Sequence, residues 1–325
     1  MNSSDTAASS QCHLRGHHIQ GDPAKWYSHR HPVHSLLVTS LRDPASRALS
    51  RIYWTLSTRN FKGGVDMPLV RRALTTWKDT ETGCVSDGQG GFQLNYISFP
   101  TIPPGSAWTG NDPVTVKNPQ QIVANVKRAM QDYDFVMVQE RLEESLVALQ
   151  LVMGLETSDI LSMPLHVGGS YLYDRHAGCL ELKSPPRLPH LSKGPRKGDN
   201  STVQQSSSAA VSDSLVQYLD EYFQSPMWYA NNFGDYVLLG AAHASLDHTI
   251  AELGQETFGQ ALEEFRKMQK FVLETCSKKV VFPCSRNGTI QREDYRLGSP
   301  AAMGDRYPQH DIEACIDEVV DQYYR

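Results

Sequence analysis

Residues 36–54 read LLVTSLRDPASRALSRIYW, and this stretch decides the predicted fold. It opens with a short, mostly apolar run from Leu36 to Leu41, whose length and composition suit a buried strand of a parallel sheet. Asp43 then suits the N-cap of a helix, and Pro44 suits its first turn. The spacing of the apolar residues predicts that this helix continues from Ala45 to Trp54. The stretch therefore predicts a strand, a tight turn and a helix, the repeating unit of α/β domains with a parallel sheet.

The turn between this strand and this helix has the features of an anion site. A helix N-terminus presents backbone N–H groups and the positive end of the helix dipole, which together favour a bound anion. Arg42 enters the turn from the strand, and Ser50 follows eight residues later, two turns into the helix. A guanidinium fork and a hydroxyl group in these places can hold a phosphate. The alternative is an ordinary strand-to-helix turn in which Arg42 forms a salt bridge.

Residues 42–50 spell Arg-Asp-Pro-x-x-Arg-x-x-Ser. This pattern resembles the 3′-phosphate-binding element of sulfotransferases that use 3′-phosphoadenosine 5′-phosphosulfate (PAPS). The resemblance is greatest to the Golgi carbohydrate sulfotransferases, such as the heparan 2-O and galactose 3-O groups, and to their algal and bacterial relatives. It implies an α/β, P-loop-like sulfotransferase fold, a parallel sheet flanked by helices, with PAPS as co-substrate, a carbohydrate acceptor and no metal. Arg42 and Ser50 are then the cofactor-binding residues.

Two later stretches extend the resemblance to about residues 12–290. Residues 135–154 read FVMVQERLEESLVALQLVMG and resemble a strand-and-helix segment of galactose 3-O-sulfotransferase-like proteins. The pattern predicts a strand at 135–138 and a helix at 142–153 that Gly154 ends. Residues 244–250, ASLDHTI, are similar to the C-terminal half of algal members. We interpret Glu140, Glu143 and Glu144 as solvated charges at a helix end. We interpret Asp247 and His248 as structural, because neighbouring helical residues point in different directions.

The residues before position 35 are rich in histidine, with six between His13 and His34. In the resembled families a Gly-His pair precedes the strand that leads into the phosphate element, and Gly16-His17 matches that place. The resemblance therefore makes His17 the candidate general base. A sugar hydroxyl is a poor nucleophile until its proton is removed, and a histidine suits that task. His18 is the nearest rival, a plain surface or core histidine is the simpler alternative, and a metal site formed by the cluster is a third interpretation.

One expected element of the family is missing. The resemblance also implies an earlier loop, with a Lys and a Thr or Ser after the first strand, that binds the 5′-phosphosulfate. The lysine of such a loop neutralises charge on the bridging oxygen as the sulfuryl group leaves. We find no such strand and loop before His17. We therefore expect an N-terminally incomplete chain, such as a truncated gene model, and keep open a non-catalytic nucleotide- or glycan-binding protein on the same fold.

The composition and net charge of the chain limit the classes of partner that we expect it to bind. The chain has 325 residues, a net charge of −5 and 40% hydrophobic residues, which predicts a substantial core and argues against a nucleic-acid partner. No run reaches the roughly 18 apolar residues that span a bilayer, and no signal peptide is visible. The resemblance implies the Golgi lumen, and the sequons at Asn2, Asn200 and Asn287 fit a glycoprotein. Six cysteines permit disulfides, and Cys276 lies close enough in sequence to Cys284 for a bridge.

The domain organisation is simple. Residues 1–11 are small and polar and predict a disordered tail, and residues 12–325 predict a single sulfotransferase-like α/β domain. A Pro- and Ser-rich stretch at about 183–213 predicts a flexible insertion. Further helices are predicted from the apolar spacing, at 119–132, 215–223, 236–253, around 258–272 and at 311–324.

Overall fold

The structure is a computed structural model that describes residues 36–58, 68, 70–71, 93–94, 119–162, 171–174, 178–181, 185–186, 188–191, 213–279, 284, 289 and 309–324. The predicted tail at 1–11, the histidine-rich stretch with His17, and most of the predicted insertion lie outside the described residues.

Two strands form a small parallel sheet. Strand β1 (Val38–Leu41) pairs with strand β2 (Phe135–Val138), with Val38 opposite Phe135 and Leu41 opposite Val138. The predicted parallel pairing is therefore confirmed, and both strands end at the same edge. A second pair, β3 (Tyr171–Asp174) and β4 (Gly178–Glu181), forms an antiparallel ladder that the sequence pattern did not predict.

Eight helices have described bounds. They are α1 (Pro44–Thr58), α2 (Pro119–Asp132), α3 (Leu142–Met153), α4 (Asp213–Phe223), α5 (Pro226–Asn231), α6 (Phe233–Leu253), α7 (Gln255–Lys279) and α8 (Gln309–Tyr323). Short 3-10 turns span Gln139–Arg141 and Thr157–Ile160. The described part of the chain is thus mostly helical around a small parallel sheet, an α/β arrangement in the loose sense. None of its helices has both the length and the apolar character that crossing a bilayer requires.

Local sequence signals account well for the segment from α2 to α3. Helix α2 and strand β2 have the predicted bounds, and α3 ends at Gly154, whose backbone adopts a left-handed conformation with a φ of 64°. Such a conformation favours glycine because it has no Cβ. Helix α1 begins at Pro44 and continues to Thr58, four residues beyond the predicted end.

The buried side chains form two clusters. The first cluster joins both strands of the parallel sheet to helices α2, α3, α6, α7 and α8, with Leu41, Val138, Leu238 and Val319 at 1% exposure or less. The second cluster joins α1 to α4 and α5, and Phe223 packs edge-on against Trp228 with ring centroids 4.8 Å apart. Helix α1 therefore follows a strand of the first cluster but packs its own apolar face into the second.

Residues 185–191 show how the predicted insertion at 183–213 begins. Leu188 is only 1% exposed and belongs to the second cluster. The ring Nδ1 of His190 lies 2.5 Å from Oδ1 of Asp220 on α4, and Gln224 donates to the other carboxylate oxygen. The start of the predicted insertion is therefore anchored to α4, while residues 192–212 lie outside the described part.

The suggested Cys276–Cys284 disulfide is wrong. Cys276 pairs with Cys315, and Cys284 pairs with Cys179, with Cα atoms 5.9 and 5.8 Å apart. Cys276 lies on the buried face of α7, and α8 packs against that face and brings Cys315 opposite it. Tertiary packing rather than proximity in sequence therefore selects the partners.

Candidate anion-binding site

The candidate site lies at the edge where β1 and β2 both end. Arg42 follows directly after β1, and Glu140 lies in the 3-10 turn directly after β2. In parallel sheets, ligands bind outside the carboxyl ends of the strands. Because the register sets Leu41 opposite Val138, the residues that follow the two strands meet at this edge.

Two backbone N–H groups of this turn donate hydrogen bonds to carboxylates of the chain itself. The N–H of Asp43 donates to Oε1 of Glu140 over 2.8 Å, and the N–H of Ser46 donates to Oδ1 of Asp43 over 2.7 Å. Asp43 is thus the predicted N-cap of α1. The expectation of free amides at the turn is corrected at these two positions, because the positive end of the helix attracts the nearest negative side chains.

The guanidinium of Arg42 is in a different situation. All hydrogen bonds of Arg42 within the described residues involve its main chain, and no ion pair holds its side chain there. Burial lowers the pKa of Arg42 and nearby Arg47 lowers it further, whereas the carboxylates of Glu140 and Asp43 raise it. A half-buried cation without a direct partner is costly unless a ligand supplies the countercharge. The alternative of a simple salt bridge at Arg42 is not seen in the described residues.

Ser50 lies on the face of α1 that begins at the turn. It follows Asp43 by seven residues, two helical turns, so the two residues share a face with Ser46 and Arg47. All four are partly exposed, whereas Ala45, Ala48, Leu49 and Ile52 on the other side are buried. The structure therefore brings Ser50 to the same side of α1 as the turn that carries Arg42.

A single side chain holds the main chain of Arg42. Gln93 Oε1 accepts the Arg42 N–H over 2.8 Å, and Gln93 Nε2 donates to the Arg42 carbonyl over 2.6 Å. The carboxylate of Asp235 in turn accepts the N–H groups of Gln93 and Leu94 over 3.0 and 2.8 Å. The sequence pattern gave no signal for this contact, because Asp235 lies 142 residues from Gln93.

Aromatic side chains of α5 and α6 contact one another. Trp228 Nε1 donates to the hydroxyl of Tyr236 over 3.0 Å. Burial raises the pKa of Tyr236, the hydrogen bond from Trp228 lowers it, and the carboxylate of Asp43 raises it. The ring of Tyr229 is 4.9 Å from that of Tyr236 and is 44% exposed.

Other candidate residues do not assemble into a second centre in the part of the chain that the structure describes. No group of three or more His, Cys, Asp or Glu side chains in the described residues is arranged to hold a metal ion. Asp247 accepts a hydrogen bond from Arg141, whereas His248 lies 3.4 Å from Glu252. These neighbours have different partners, as the structural interpretation of both residues predicted. The six histidines before position 35 lie outside the described part.

Comparison of the chain with protein-family models, with curated proteins and with solved structures gives no match. Function is therefore inferred from the residues and their geometry.

Proposed function

We propose that this chain is a PAPS-dependent sulfotransferase that transfers a sulfuryl group to a hydroxyl of a carbohydrate, on a P-loop-like sulfotransferase fold. The observation that carries the proposal is the side chain of Arg42, which is half-buried and without an ion-pair partner in the described residues. It stands at the carboxyl end of a parallel strand, within the pattern Arg-Asp-Pro-x-x-Arg-x-x-Ser. Arg42 and Ser50 are proposed to bind the 3′-phosphate of the nucleotide.

A second arginine of the pattern lies near Arg42. Arg47 lowers the pKa of Arg42, although the carboxylates of Glu140 and Asp43, which raise it, have the larger effects. A phosphate with about two negative charges would attract both guanidinium groups, more strongly than a singly charged ligand.

The proposed reaction is an in-line displacement at sulfur. The acceptor hydroxyl oxygen forms a bond to sulfur while the bond from sulfur to the bridging phosphate oxygen breaks. His17 takes the hydroxyl proton, and the electron pair leaves on adenosine 3′,5′-bisphosphate. His17 is proposed on the family resemblance, as the general base that such an attack requires.

The cysteines support the proposed location in the Golgi lumen. Cys179–Cys284 and Cys276–Cys315 are disulfides in the structure. Disulfides form and persist in oxidising compartments, which include the secretory pathway, and are rare in the cytosol.

One observation favours a second candidate function, a non-catalytic nucleotide- or glycan-binding protein on the same fold. The carboxylates of Glu140 and Asp43 already accept the N–H groups of Asp43 and Ser46, so these two amides are not free to stabilise a transferring group. Sulfate transfer from PAPS to a panel of glycans separates the two candidates, because only the enzyme gives a sulfated product.

The binding site is tested by titrating two nucleotides that differ only at the 3′ position, adenosine 3′,5′-bisphosphate and adenosine 5′-monophosphate. We expect the bisphosphate to bind more tightly. Arg42→Ala should weaken the bisphosphate about 10- to 100-fold, the range for a charge-assisted contact, without affecting the monophosphate. Arg128→Ala on the exposed face of α2 is the matched control for net charge. Equal affinities for the bisphosphate before and after Arg42→Ala would rule out the site.

The base is tested separately by His17→Ala, with His18→Ala as the control. Loss of a general base should lower turnover about 10²- to 10⁴-fold and leave the affinity for adenosine 3′,5′-bisphosphate nearly unchanged. A similar loss in both measurements would remove His17 from this role.

A further inference from the structure

The main chain of Arg42 is held more firmly than a strand end requires. Within a sheet, the N–H and carbonyl of a residue bond to the main chain of the neighbouring strand. At Arg42, the side-chain amide of Gln93 takes the place of that main chain. It engages both the N–H and the carbonyl of Arg42, and it is 6% exposed. Two hydrogen bonds to one residue restrict its rotation, so they fix the direction in which the Arg42 side chain leaves the turn.

Gln93 is itself fixed by α6. Asp235 lies in the first turn of α6, is 0% exposed, and uses both carboxylate oxygens to accept the N–H groups of Gln93 and Leu94. Its negative charge at a helix N-terminus is favoured by the helix dipole. The preceding residue, Gly234, allows this close approach, because a Cβ there would lie 2.7 Å from Cδ2 of Leu94.

We propose that Gln93 and Asp235 form a clamp, defined by these two residues, that positions Arg42 for the 3′-phosphate. This inference rests on the proposed function, since it concerns the same guanidinium. Both residues are positioning residues, because they are almost fully buried and act through Arg42. The clamp connects α6 to the β1–α1 turn, so a ligand meets a guanidinium whose backbone is already ordered. Preorganisation of this kind raises affinity by reducing the ordering cost on binding.

The test separates positioning from ordinary structural support. Asp235→Asn keeps the shape of the side chain but turns one acceptor into an NH₂ group that faces a backbone N–H. We expect a loss of about tenfold or more in affinity for adenosine 3′,5′-bisphosphate and little change for adenosine 5′-monophosphate. The ratio of the two dissociation constants is the decisive readout, because general loss of structure weakens both nucleotides together.

A second variant tests the clamp independently if Asp235→Asn does not fold. Gln93→Met keeps the length of the side chain, adds no charge and removes both hydrogen bonds to Arg42, so the same fall in the ratio is expected. The matched control is Gln150→Leu, which removes the hydrogen bond of another buried glutamine to Thr157 away from the turn. It should lower the melting temperature and leave the ratio unchanged.

The outcomes distinguish the clamp from the proposed function. If Arg42→Ala lowers the ratio but Asp235→Asn and Gln93→Met leave it within about twofold of the parent chain, the clamp is overturned and the phosphate site stands. If Arg42→Ala also leaves the ratio unchanged, both inferences are overturned. A fall of the ratio in Arg42→Ala and in either clamp variant, with no change in Gln150→Leu, supports the clamp.

Discussion

The turns after β1 and after β2 have the same position in the fold, but their arginines have different partners. Each follows a strand of the same parallel pair, each leads into a helix, and each carries an arginine. Arg141, after β2, has two carboxylate partners, Glu144 and Asp247. Burial lowers the pKa of Arg141, but the hydrogen bonds to Asp247 and Glu144 outweigh this effect and raise it. Arg42, after β1, has no such partner in the described residues, and burial lowers its pKa.

This difference distinguishes an arginine that stabilises the fold, Arg141, from a candidate ligand-binding arginine, Arg42. The guanidinium of Arg141 connects α3 to α6, so its role is structural and complete within the chain. Within the described residues, the guanidinium of Arg42 connects no two elements, although the main chain around it is tightly held by Gln93. A fixed backbone below a cation that has no ion pair in that part of the chain is an arrangement that suits a ligand site.

A polar side chain accepts a backbone N–H at each turn, and removing the buried one, Ser145, gives the largest expected loss of stability. Ser145 is 0% exposed, and its Oγ accepts the N–H of Val138 at the end of β2 over 3.0 Å. Ser145→Ala leaves that buried N–H without a partner, so we expect a loss of about 1–3 kcal/mol in the free energy of unfolding. Urea denaturation measures it. Ser46→Ala on α1 is the control and should change stability by less than about 0.5 kcal/mol. If Ser145→Ala lowers the free energy of unfolding no more than this control does, the Ser145 hydrogen bond does not stabilise the fold.

At the first turn the corresponding side chain is that of Asp43, which caps α1. Asp43→Ala removes the acceptor for the Ser46 N–H and should cost about 1 kcal/mol of unfolding free energy, the usual value for a lost N-cap. Asp43→Asn keeps an oxygen in the same place and should retain most of that stability. If Asp43→Asn is as destabilising as Asp43→Ala, the negative charge rather than the hydrogen bond is what stabilises the turn.

The turns should also differ in how their carboxylates affect binding. Glu140→Gln preserves an acceptor for the Asp43 N–H but removes a negative charge near Arg42. We expect adenosine 3′,5′-bisphosphate to bind about threefold more tightly, with a smaller gain at high salt because the effect is Coulombic. The control is Glu143→Gln, whose carboxylate pairs with Arg266 on the surface. Weaker binding after Glu140→Gln would mean that the carboxylate assists the ligand instead of competing with it.

The smallest expected effect is that of Arg141→Ala. Its partners are partly solvated, with the Asp247 side chain 65% exposed, so we expect a loss of only about 0.5 kcal/mol in stability. Thermal denaturation measures the loss, and nucleotide affinity should not change. A change in affinity as large as that of Arg42→Ala would erase the contrast between the two arginines.

Residues close in sequence were predicted well. The strand at 135–138 and the helix at 142–153 have the predicted bounds, and Asp43 caps α1 as predicted. Each of these features depends on neighbours within about four residues: a run of apolar side chains, a short polar side chain before a helix, a glycine after it. Such features can be predicted from the sequence because their physical cause lies within the same short segment.

Contacts between distant residues were not predicted. The Gln93–Asp235 hydrogen bond joins residues 142 positions apart, and the cysteines pair as Cys179–Cys284 and Cys276–Cys315. Glu140 is exposed, as its interpretation as a solvated charge implies, but its hydrogen bond to the Asp43 N–H was not predicted. None of these partners is encoded in a local pattern, because each depends on which helix faces pack together.

The sequence by itself determined the parallel strand-to-helix unit and the place of Arg42 at its turn, because apolar spacing and capping act over a few residues. Only the tertiary structure decided that the amides of this turn are occupied, that Gln93 and Asp235 hold its main chain, and that the guanidinium stays without an ion pair in the described residues. The reason is physical: hydrogen bonding and burial at the turn are set by groups that folding brings from β2, from residue 93 and from the start of α6.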